Sequence, residues 1–329
     1  MKLAHVELWN WCNLAHIEFD LGTRLFVVGP NASGKSNLLD ALRFTCDVAR
    51  MGLRGAAERR GGMQALSNGA NGTGPARLAF SFEAGPERRT YELDLSTDLA
   101  ADAGPQGIRD YFTGIHYIHP NPVKMLEQGP YDECGTGFTR HAASLPNTVL
   151  ERAIARIRPV LAAIVPEVPC LSHVRIGAND DIVFYNDDPG ARGAFTHMRF
   201  SEGTLRLLGI LFELATLPKN ASLVLIETPE LHMQASVVRS MPDFFAAVAA
   251  DSGVQMVFTT HSPELLVNEL IRPDQVLLLE PGASGSTGTP LSESTDPRIC
   301  ASIEGGFPMS EVFQSMNQRR VVWGDQDRW

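Results

Sequence analysis

With 329 residues, 44% hydrophobic and 20% charged, the chain can bury one large or two small cores, and no apolar run reaches the roughly 18 residues of a membrane span. A net charge of −10 argues against a broadly basic nucleic-acid surface and leaves only a local basic groove open. The charged, His-bearing start at Met1–Glu7 is unlike a signal peptide, and five scattered cysteines (Cys12, Cys46, Cys134, Cys170, Cys300) without C-x-x-C spacing read as reduced thiols of a cytoplasmic protein, not as a disulfide framework or zinc site.

In chain order, residues 2–8 and 16–21 alternate apolar and polar side chains and predict two strands with one wet face, joined by a loop over Trp9–Asn13. A pair of tryptophans there reads as packing ahead of base stacking. Arg24–Val28 is a short buried strand, and the next segment carries the most information in the chain. Gly29, Pro30, Asn31, Ala32, Ser33, Gly34, Lys35 and Ser36 fit the pattern G-x-x-x-x-G-K-[ST], and Asn37–Phe44 has helical spacing. Glycines let the backbone wrap an anion closely, so that loop and first-turn N–H groups, Asn37 included, point at phosphates with the helix dipole behind them. Lys35 would reach the β- and γ-phosphates and the Ser36 hydroxyl would ligate Mg²⁺. This stretch predicts a nucleoside triphosphate site.

Residues 51–75, rich in Gly, Ala, Asn and Arg, read as a mobile surface loop in which Arg54, Arg59 and Arg60 form a solvated cluster that could instead meet a polyanion. Residues 76–82 and 89–95 predict a hairpin around Gly85–Pro86. Residues 114–120 form a short strand ending in a turn, where His119 and Asn121 could belong to a loop that senses Mg²⁺ and the γ-phosphate, although a His119 cap on a proline turn is the favoured reading. A basic helix spans 146–165, with Arg152, Arg156 and Arg158 beside its apolar stripe, and residues 171–176 and 181–185 make a second hairpin. Ser201 is a good N-cap and Gly203 allows close backbone approach, so the apolar helix that begins there is a second possible anion site. The continuous apolar run Ser222–Ile226 ends in Glu227, the pattern of a central parallel strand whose tip faces a ligand and can hold Mg²⁺ opposite Ser36. A further buried strand ends at His261, placed to hydrogen-bond a γ-phosphate or attacking water. A strand over 275–280, a Gly/Ser/Thr/Pro linker over 282–298 and a short helix over 309–318 complete the pattern.

Together, Gly29–Ser36, Phe200–Thr204, Leu225–His232 and Thr259–Pro263 resemble the ordered motifs of ABC-type ATPases of the RecF and SMC group. Within that group the resemblance is to the stand-alone "AAA family ATPases" of bacterial DNA-repair and phage-defence operons, which include the ATPase halves of OLD-type and Septu-like systems. It covers residues 1 to about 281 and is strong in the four motifs. It implies an α/β fold, a P-loop NTPase of ABC type, with a mixed central sheet, an antiparallel β lobe and a helical signature lobe. The head would span 1–281, with a P-loop lobe over about 1–120, an insertion over about 121–199 and a signature-to-His261 lobe over about 200–281; a linker and short helix would occupy 282–329.

By the same resemblance, two ATP molecules are sandwiched in a head-to-tail homodimer. Each site would take Lys35, Ser36, Glu227 and His261 from one chain and the Ser201–Gly203 signature from the other. Relatives carry a second Glu after the first, to activate water, where this chain has Thr228. Threonine is no general base near neutral pH, so hydrolysis is expected to be slow unless Glu230 or His261 replaces that carboxylate. The expected function is a cytoplasmic ATP-dependent dimerising switch that senses or clamps DNA and controls a separate effector, such as a nuclease. The chain shows no nuclease constellation of its own, and the roughly 48 residues after 281 are too few for a Toprim domain. The alternative is a non-hydrolysing ATP-binding subunit of a defence or toxin–antitoxin complex without nucleic-acid contact.

Overall fold

The computed structural model describes residues 1–67, 74–96, 104–164, 171–176, 182–186, 195–196 and 200–317. Strand β1 (Lys2–Trp11) pairs antiparallel with β2 (Leu14–Asp20), as the alternation predicts. Residues 9–11, expected in a loop, belong instead to β1. The turn contracts to Cys12 and Asn13, helped by left-handed backbone at Asn10 and Cys12. Trp11 is fully buried 4.9 Å from the Phe44 ring and Trp9 stacks on His16, so both tryptophans are used in packing.

Strand β3 (Arg24–Val28) leads into α1 (Lys35–Glu58), which bends at Gly52 (φ 80°) and is succeeded by α2 (Met63–Leu66). The structure thus replaces residues 51–58 and 63–66 of the expected 51–75 loop with helix: Leu53, Ala56, Ala57 and Leu66 are buried, and their apolar spacing is masked by neighbouring glycines and arginines. Residues 68–73, the most Gly/Asn-rich part of that expectation, lie outside the described residues. Arg54 and Arg59 are exposed as expected, but Arg60 is largely withdrawn from solvent. The Arg60 guanidinium pairs with Asp40 and Asp47, both at 2.8 Å, and Arg59 pairs with Asp47 at 3.0 Å, fastening the end of α1 to its own middle.

Strands β4 (Arg77–Ala84) and β5 (Glu87–Asp94) form the predicted hairpin. Helix α3 (Gln106–Thr113) precedes β6 (Ile115–Ile118). The short α4 (Pro122–Met125) and α5 (Phe138–Ser144) lead to α6 (Asn147–Ile164), the expected basic helix. Arg152 donates to its own helix at Thr148 and Arg156 pairs with Asp251. A separate antiparallel sheet of β7 (Leu171–Ile176), β8 (Ile182–Asn186) and β9 (Phe195–Thr196) contains the second predicted hairpin. Then come α7 (Glu202–Ala215), β10 (Leu223–Glu227), α8 (Ala235–Ser252), β11 (Gln255–Thr259), β12 (Val276–Glu280), β13 (Ser286–Pro290), α9 (Pro297–Glu304) and α10 (Met309–Asn317).

The main sheet runs β5-β4-β1-β2-β13-β12-β3-β11-β10-β6. The five strands from β12 to β6 are mutually parallel, and β5, β4, β1 and β2 form an antiparallel wing. Continuous apolar runs suit the parallel part, because helices cover both of its faces. Side-chain period two assigns each residue to a face. Phe26, Val28, Ile226 and Phe258 face the core under α6–α8, while Leu25, Val27, Leu225 and Val257 face the core with α1 and α3.

Strand β13 corrects the expected 282–298 linker. It lies between the two halves of the sheet, antiparallel to β12 and parallel to β2. Its Ser-Thr-Gly-Thr-Pro sequence has no hydrophobic signal, because the position is crowded: a Cβ on Gly288 would sit 3.0 Å from both Ile17 and Leu279 side chains. The expected helix at the end of the chain is α10.

Candidate nucleotide site

Parallel pairing brings the C-terminal tips of β3, β11 and β10 to one end of the sheet, where a doubly covered sheet offers its ligand crevice. The 29–36 loop rises from the β3 tip. Its two glycines are demanded by different neighbours. A Cβ on Gly29 would collide with the Leu279 carbonyl, and one on Gly34 (φ 92°) would collide with Leu14 and lie 2.6 Å from Asn13 Oδ1. Asn13, from the β1–β2 turn, braces the loop: its Nδ2 donates to the Ala32 carbonyl at 3.0 Å and its Oδ1 accepts from Asn37 at 2.7 Å. Pro30, Asn31 and Ser36 lie towards solvent at the rim of the loop, whereas Ser33 is buried with its hydroxyl unpartnered among the described residues.

Helix α1 starts at Gly34 with no side-chain cap, so its first N–H groups are open to an anion. Lys35 is only 6% exposed, and its ammonium donates to the carbonyls of Gly29 (2.9 Å) and Pro30 (2.8 Å). Burial pushes its pKa down to about 8, against the pull of Glu230 and Glu227. A phosphate would offer this cation stronger acceptors than two neutral carbonyls.

At the β10 tip, Glu227 accepts hydrogen bonds from the Ser36 hydroxyl on one oxygen and the Tyr117 hydroxyl on the other. A carboxylate and a hydroxyl meeting at an anion loop form an oxygen-only donor set, the kind that fits Mg²⁺. Tyr117 comes from the adjacent parallel strand β6 and lies 4.1 Å beneath the Arg43 guanidinium; burial and the Glu227 charge raise its pKa. Thr228 takes a left-handed backbone (φ 46°), unusual for a β-branched residue, and donates its N–H to the Thr259 carbonyl at 3.0 Å. Glu230 accepts from the Thr260 hydroxyl at 2.7 Å and the His261 N–H at 2.9 Å. Its other oxygen is buried without a partner among the described residues, and burial raises its pKa. His261 is exposed, and partial burial with nearby Lys35 lowers its pKa, which keeps the imidazole neutral near pH 7.

Ser201 and Gly203 are placed by other contacts. Ser201 caps α7, its hydroxyl accepting from Thr204 N–H at 3.2 Å. Gly203 abuts the His232 carbonyl so closely that a Cβ would overlap it, and His232 pairs with Glu202 at 3.3 Å. Glycine here serves helix-to-loop packing within the chain. The structure therefore gathers residues 29–37, Glu227, Thr228, Glu230 and His261 around three strand tips, and sets Ser201 and Gly203 against the loop after β10.

His119 is not the cap of the turn after β6. Asn121 caps α4, while His119 Nδ1 lies 3.4 Å from the Glu227 carbonyl. Sequence reasoning also missed Asn13, Tyr117, Thr260 and Arg206. Tyr117 carries a weak signal, a polar aromatic within a short strand, but knowing its partner requires the strand order. Arg206 carries none: in an apolar helix it reads as solvated, yet it is 1% exposed.

A family profile described as "AAA domain, putative AbiEii toxin, Type IV TA system" matches residues 25–122 and 136–268, more than half of the chain. No curated protein matches. Among solved structures, the SMC head domain from Thermotoga maritima shares 15% identity at a TM-score of 0.53, covering 88% of this chain and 99% of its own. An SMC head bound to the C-terminal winged-helix domain of ScpA shares 15% at 0.58, covering 88% and 98%. The Pyrococcus furiosus Smc head with an extended coiled coil, bound to the C-terminal domain of ScpA, shares 13% at 0.55, covering 92% and 99%. At these identities the likeness is one of fold: a P-loop ATPase head of the SMC type.

Proposed function

The chain belongs to this AAA-domain family, with an SMC-like P-loop ATPase fold, and from that premise we propose that it is an ATP-dependent dimerising switch with slow hydrolysis that governs a partner effector. The observation that carries the reading is the convergence of an uncapped helix start, a buried Lys35 bonded to two carbonyls, and a Ser36–Glu227 pair. Lys35 and the N–H groups of 34–37 bind and orient the triphosphate. Mg²⁺, held by Ser36 and Glu227, would neutralise charge on the β- and γ-phosphates. Tyr117 keeps the Glu227 carboxylate aimed at Ser36, and neutral His261 can accept a hydrogen bond from water at the γ-phosphate. Glu230 holds the 260–261 backbone in place.

Thr228 supplies no base, which supports slow turnover and a long-lived bound state. Ser201, exposed at the start of α7, is available to a second copy, so that nucleotide bridges two chains. One of the similar SMC heads is bound to a winged-helix domain, and an analogous protein partner fits the switch reading. The head would comprise residues 1–281 together with β13, which joins the two halves of its sheet. Light scattering after size exclusion tests the proposal: the mass should double with ATP, and a mass indifferent to nucleotide overturns the switch.

The arginines favour the second reading, a subunit of a defence or toxin–antitoxin complex that does not contact nucleic acid. Arg59, Arg60 and Arg156 are paired with Asp47, Asp40 and Asp251, which offsets part of the positive charge that argued for DNA. The family description names a toxin of a type IV system, consistent with that role. Phosphate release measured with and without duplex DNA separates the two: stimulation by DNA supports sensing, and no release in either condition supports the non-hydrolysing complex-subunit reading.

A further inference from the structure

The outer face of the β1–β2 hairpin carries a cluster of side chains that the nucleotide site does not use. Side-chain period two puts His5, Glu7 and Trp9 of β1 on that face together with His16, Glu18 and Asp20 of β2. The antiparallel register sets His5 opposite Asp20, Glu7 opposite Glu18 and Trp9 opposite His16. Two carboxylates directly across a strand pair repel one another, so Glu7 and Glu18 gain by splaying apart unless a cation lies between them. They converge instead. Among the described residues, Glu7, His16 and Glu18 are the one group of three histidine, cysteine or carboxylate side chains whose ligand atoms all lie within 4.8 Å of one another.

Both imidazoles of this face are held by neighbours. The His16 ring stacks on Trp9 with ring centroids 5.5 Å apart, and the Arg77 guanidinium lies over Trp9 at 4.2 Å, so His16 is fixed with its Nε2 3.0 Å from a Glu7 oxygen. His5 binds Asp20 through Nδ1 at 2.8 Å, which leaves its Nε2 beside Glu18 at 3.5 Å. A carboxylate on one ring nitrogen is the arrangement that sets the tautomer and orientation of a metal-ligating histidine. On the adjoining strand β4, Ala79 stands opposite Glu7 and Ser81 opposite His5, side chains too small to cover the cluster.

The donor set selects the kind of ion. Mg²⁺ and Ca²⁺ take oxygen ligands, whereas an imidazole nitrogen with two carboxylates suits zinc and the neighbouring divalent transition ions. Bonds of about 2.0–2.2 Å to a shared ion place the ligand atoms roughly 3.0–3.5 Å apart. The 3.0 Å between His16 and Glu7 already meets this, and the Glu18 side chain, 54% exposed, can rotate to close the rest. We propose that Glu7, His16 and Glu18 form a surface site for one divalent transition-metal ion of the zinc class, with His5 Nε2 beside Glu18 as the nearest fourth ligand. The ion would clamp β1 to β2 ahead of the turn whose Asn13 braces the phosphate loop, at a place separate from the Ser36–Glu227 pair.

Calorimetric titration of the metal-free full chain with ZnCl₂ tests this. One Zn²⁺ should bind with a Kd on the order of micromolar, weaker than a closed four-ligand site, and millimolar Mg²⁺ should not displace it. Zn²⁺ at about ten times that Kd should raise the unfolding temperature by about 2 °C or more. His16→Gln and Glu18→Gln should each weaken binding by about tenfold or more, whereas Glu227→Gln in the candidate nucleotide site and Cys12→Ser at the hairpin turn should bind as the wild type does. No binding by the wild type at about 100 µM Zn²⁺ overturns the site and leaves the face a ladder of ion pairs. Displacement by millimolar Mg²⁺ overturns it as well, and these two arms decide even if a variant does not fold. Wild-type affinity in either His16→Gln or Glu18→Gln, or loss of binding in Glu227→Gln or Cys12→Ser, overturns it by putting the ion elsewhere. None of these outcomes touches the nucleotide reading, which stands or falls on Lys35.

Discussion

Two helix starts in this molecule were candidates for anion binding, and they are built in opposite ways. Helix α7 begins in the ordinary manner: Ser201 in an extended conformation supplies its own hydroxyl to the Thr204 N–H, and Ser201 and Glu202 are exposed. Helix α1 begins at a left-handed Gly34 with no side-chain cap, beside a buried Ser33 hydroxyl without a partner among the described residues and a Lys35 ammonium bonded to carbonyls. A helix start that satisfies itself is stable alone; one left unsatisfied next to a buried cation is completed by a ligand. The contrast makes α1, not α7, the candidate anion site within one chain, while α7 is fastened to the segment after β10 with its first residues exposed.

The sharpest way to break this contrast is to remove the cation. Lys35→Ala should weaken nucleotide binding by about 100-fold or more in calorimetry, the scale of a lost charge-assisted interaction of roughly 3 kcal/mol. Tight binding by that variant would show that α1 is not the anion site.

The next effect concerns turnover. Thr228→Glu places a carboxylate beside the Glu227 tip, and phosphate release should rise by on the order of 100-fold, the bottom of the range for a positioned general base. Glutamate is not β-branched, so it suits the left-handed backbone at φ 46° no worse than threonine. An unchanged rate would place water activation elsewhere, with His261 the next residue to replace.

A pH series sharpens the α1 side further. The Lys35 pKa of about 8 lies below the usual lysine value, so the free protein loses this cation as pH rises through 8. Nucleotide favours the charged form and should draw a proton in. Affinity is therefore expected to be highest below pH 8 and to fall about tenfold between pH 7 and 9, with net proton uptake on binding at the higher pH. Stability of the free protein has the opposite sign: between 8 and the unfolded value near 10.5 the unfolded chain binds more protons, so this residue's contribution to stability increases with pH. Calorimetry in buffers of different ionisation enthalpy reads the proton uptake directly; affinity that is flat across this range would mean that Lys35 does not meet the phosphates.

The smallest effect belongs to α7. Ser201→Ala should cost about 1 kcal/mol of stability through loss of an ordinary cap and leave nucleotide affinity of the single chain within about twofold. Thermal unfolding and calorimetry check both halves. A large loss of single-chain affinity would mean that α7 contributes to its own chain's site.

Much of the candidate site was legible in the sequence because its parts are short and local. The phosphate loop, the apolar run into Glu227 and the strand into His261 each declare themselves within about ten residues, through glycine spacing and continuous burial. The hairpins of β1–β2 and β4–β5 came from period-two alternation in the same way. What failed to show was anything whose logic depends on a distant neighbour. Strand β13 looked like a linker because Gly288 had to be small against Ile17 and Leu279; the far end of α1 looked like a loop because Gly52 interrupts its helical pattern; Arg60 looked solvated although Asp40 and Asp47 enclose it.

Taken by itself, the amino-acid sequence determined that this chain has a phosphate-binding loop, a carboxylate at a strand tip and a P-loop α/β fold, because backbone geometry and local burial periodicity are written in neighbouring residues. Only the tertiary structure decided that Tyr117 holds Glu227, that Asn13 braces the loop, and that Arg206 ties α7 to the β10 tip. Those contacts cross the sheet order, and hydrogen bonds between strands and helices far apart in the chain leave no periodic trace in it.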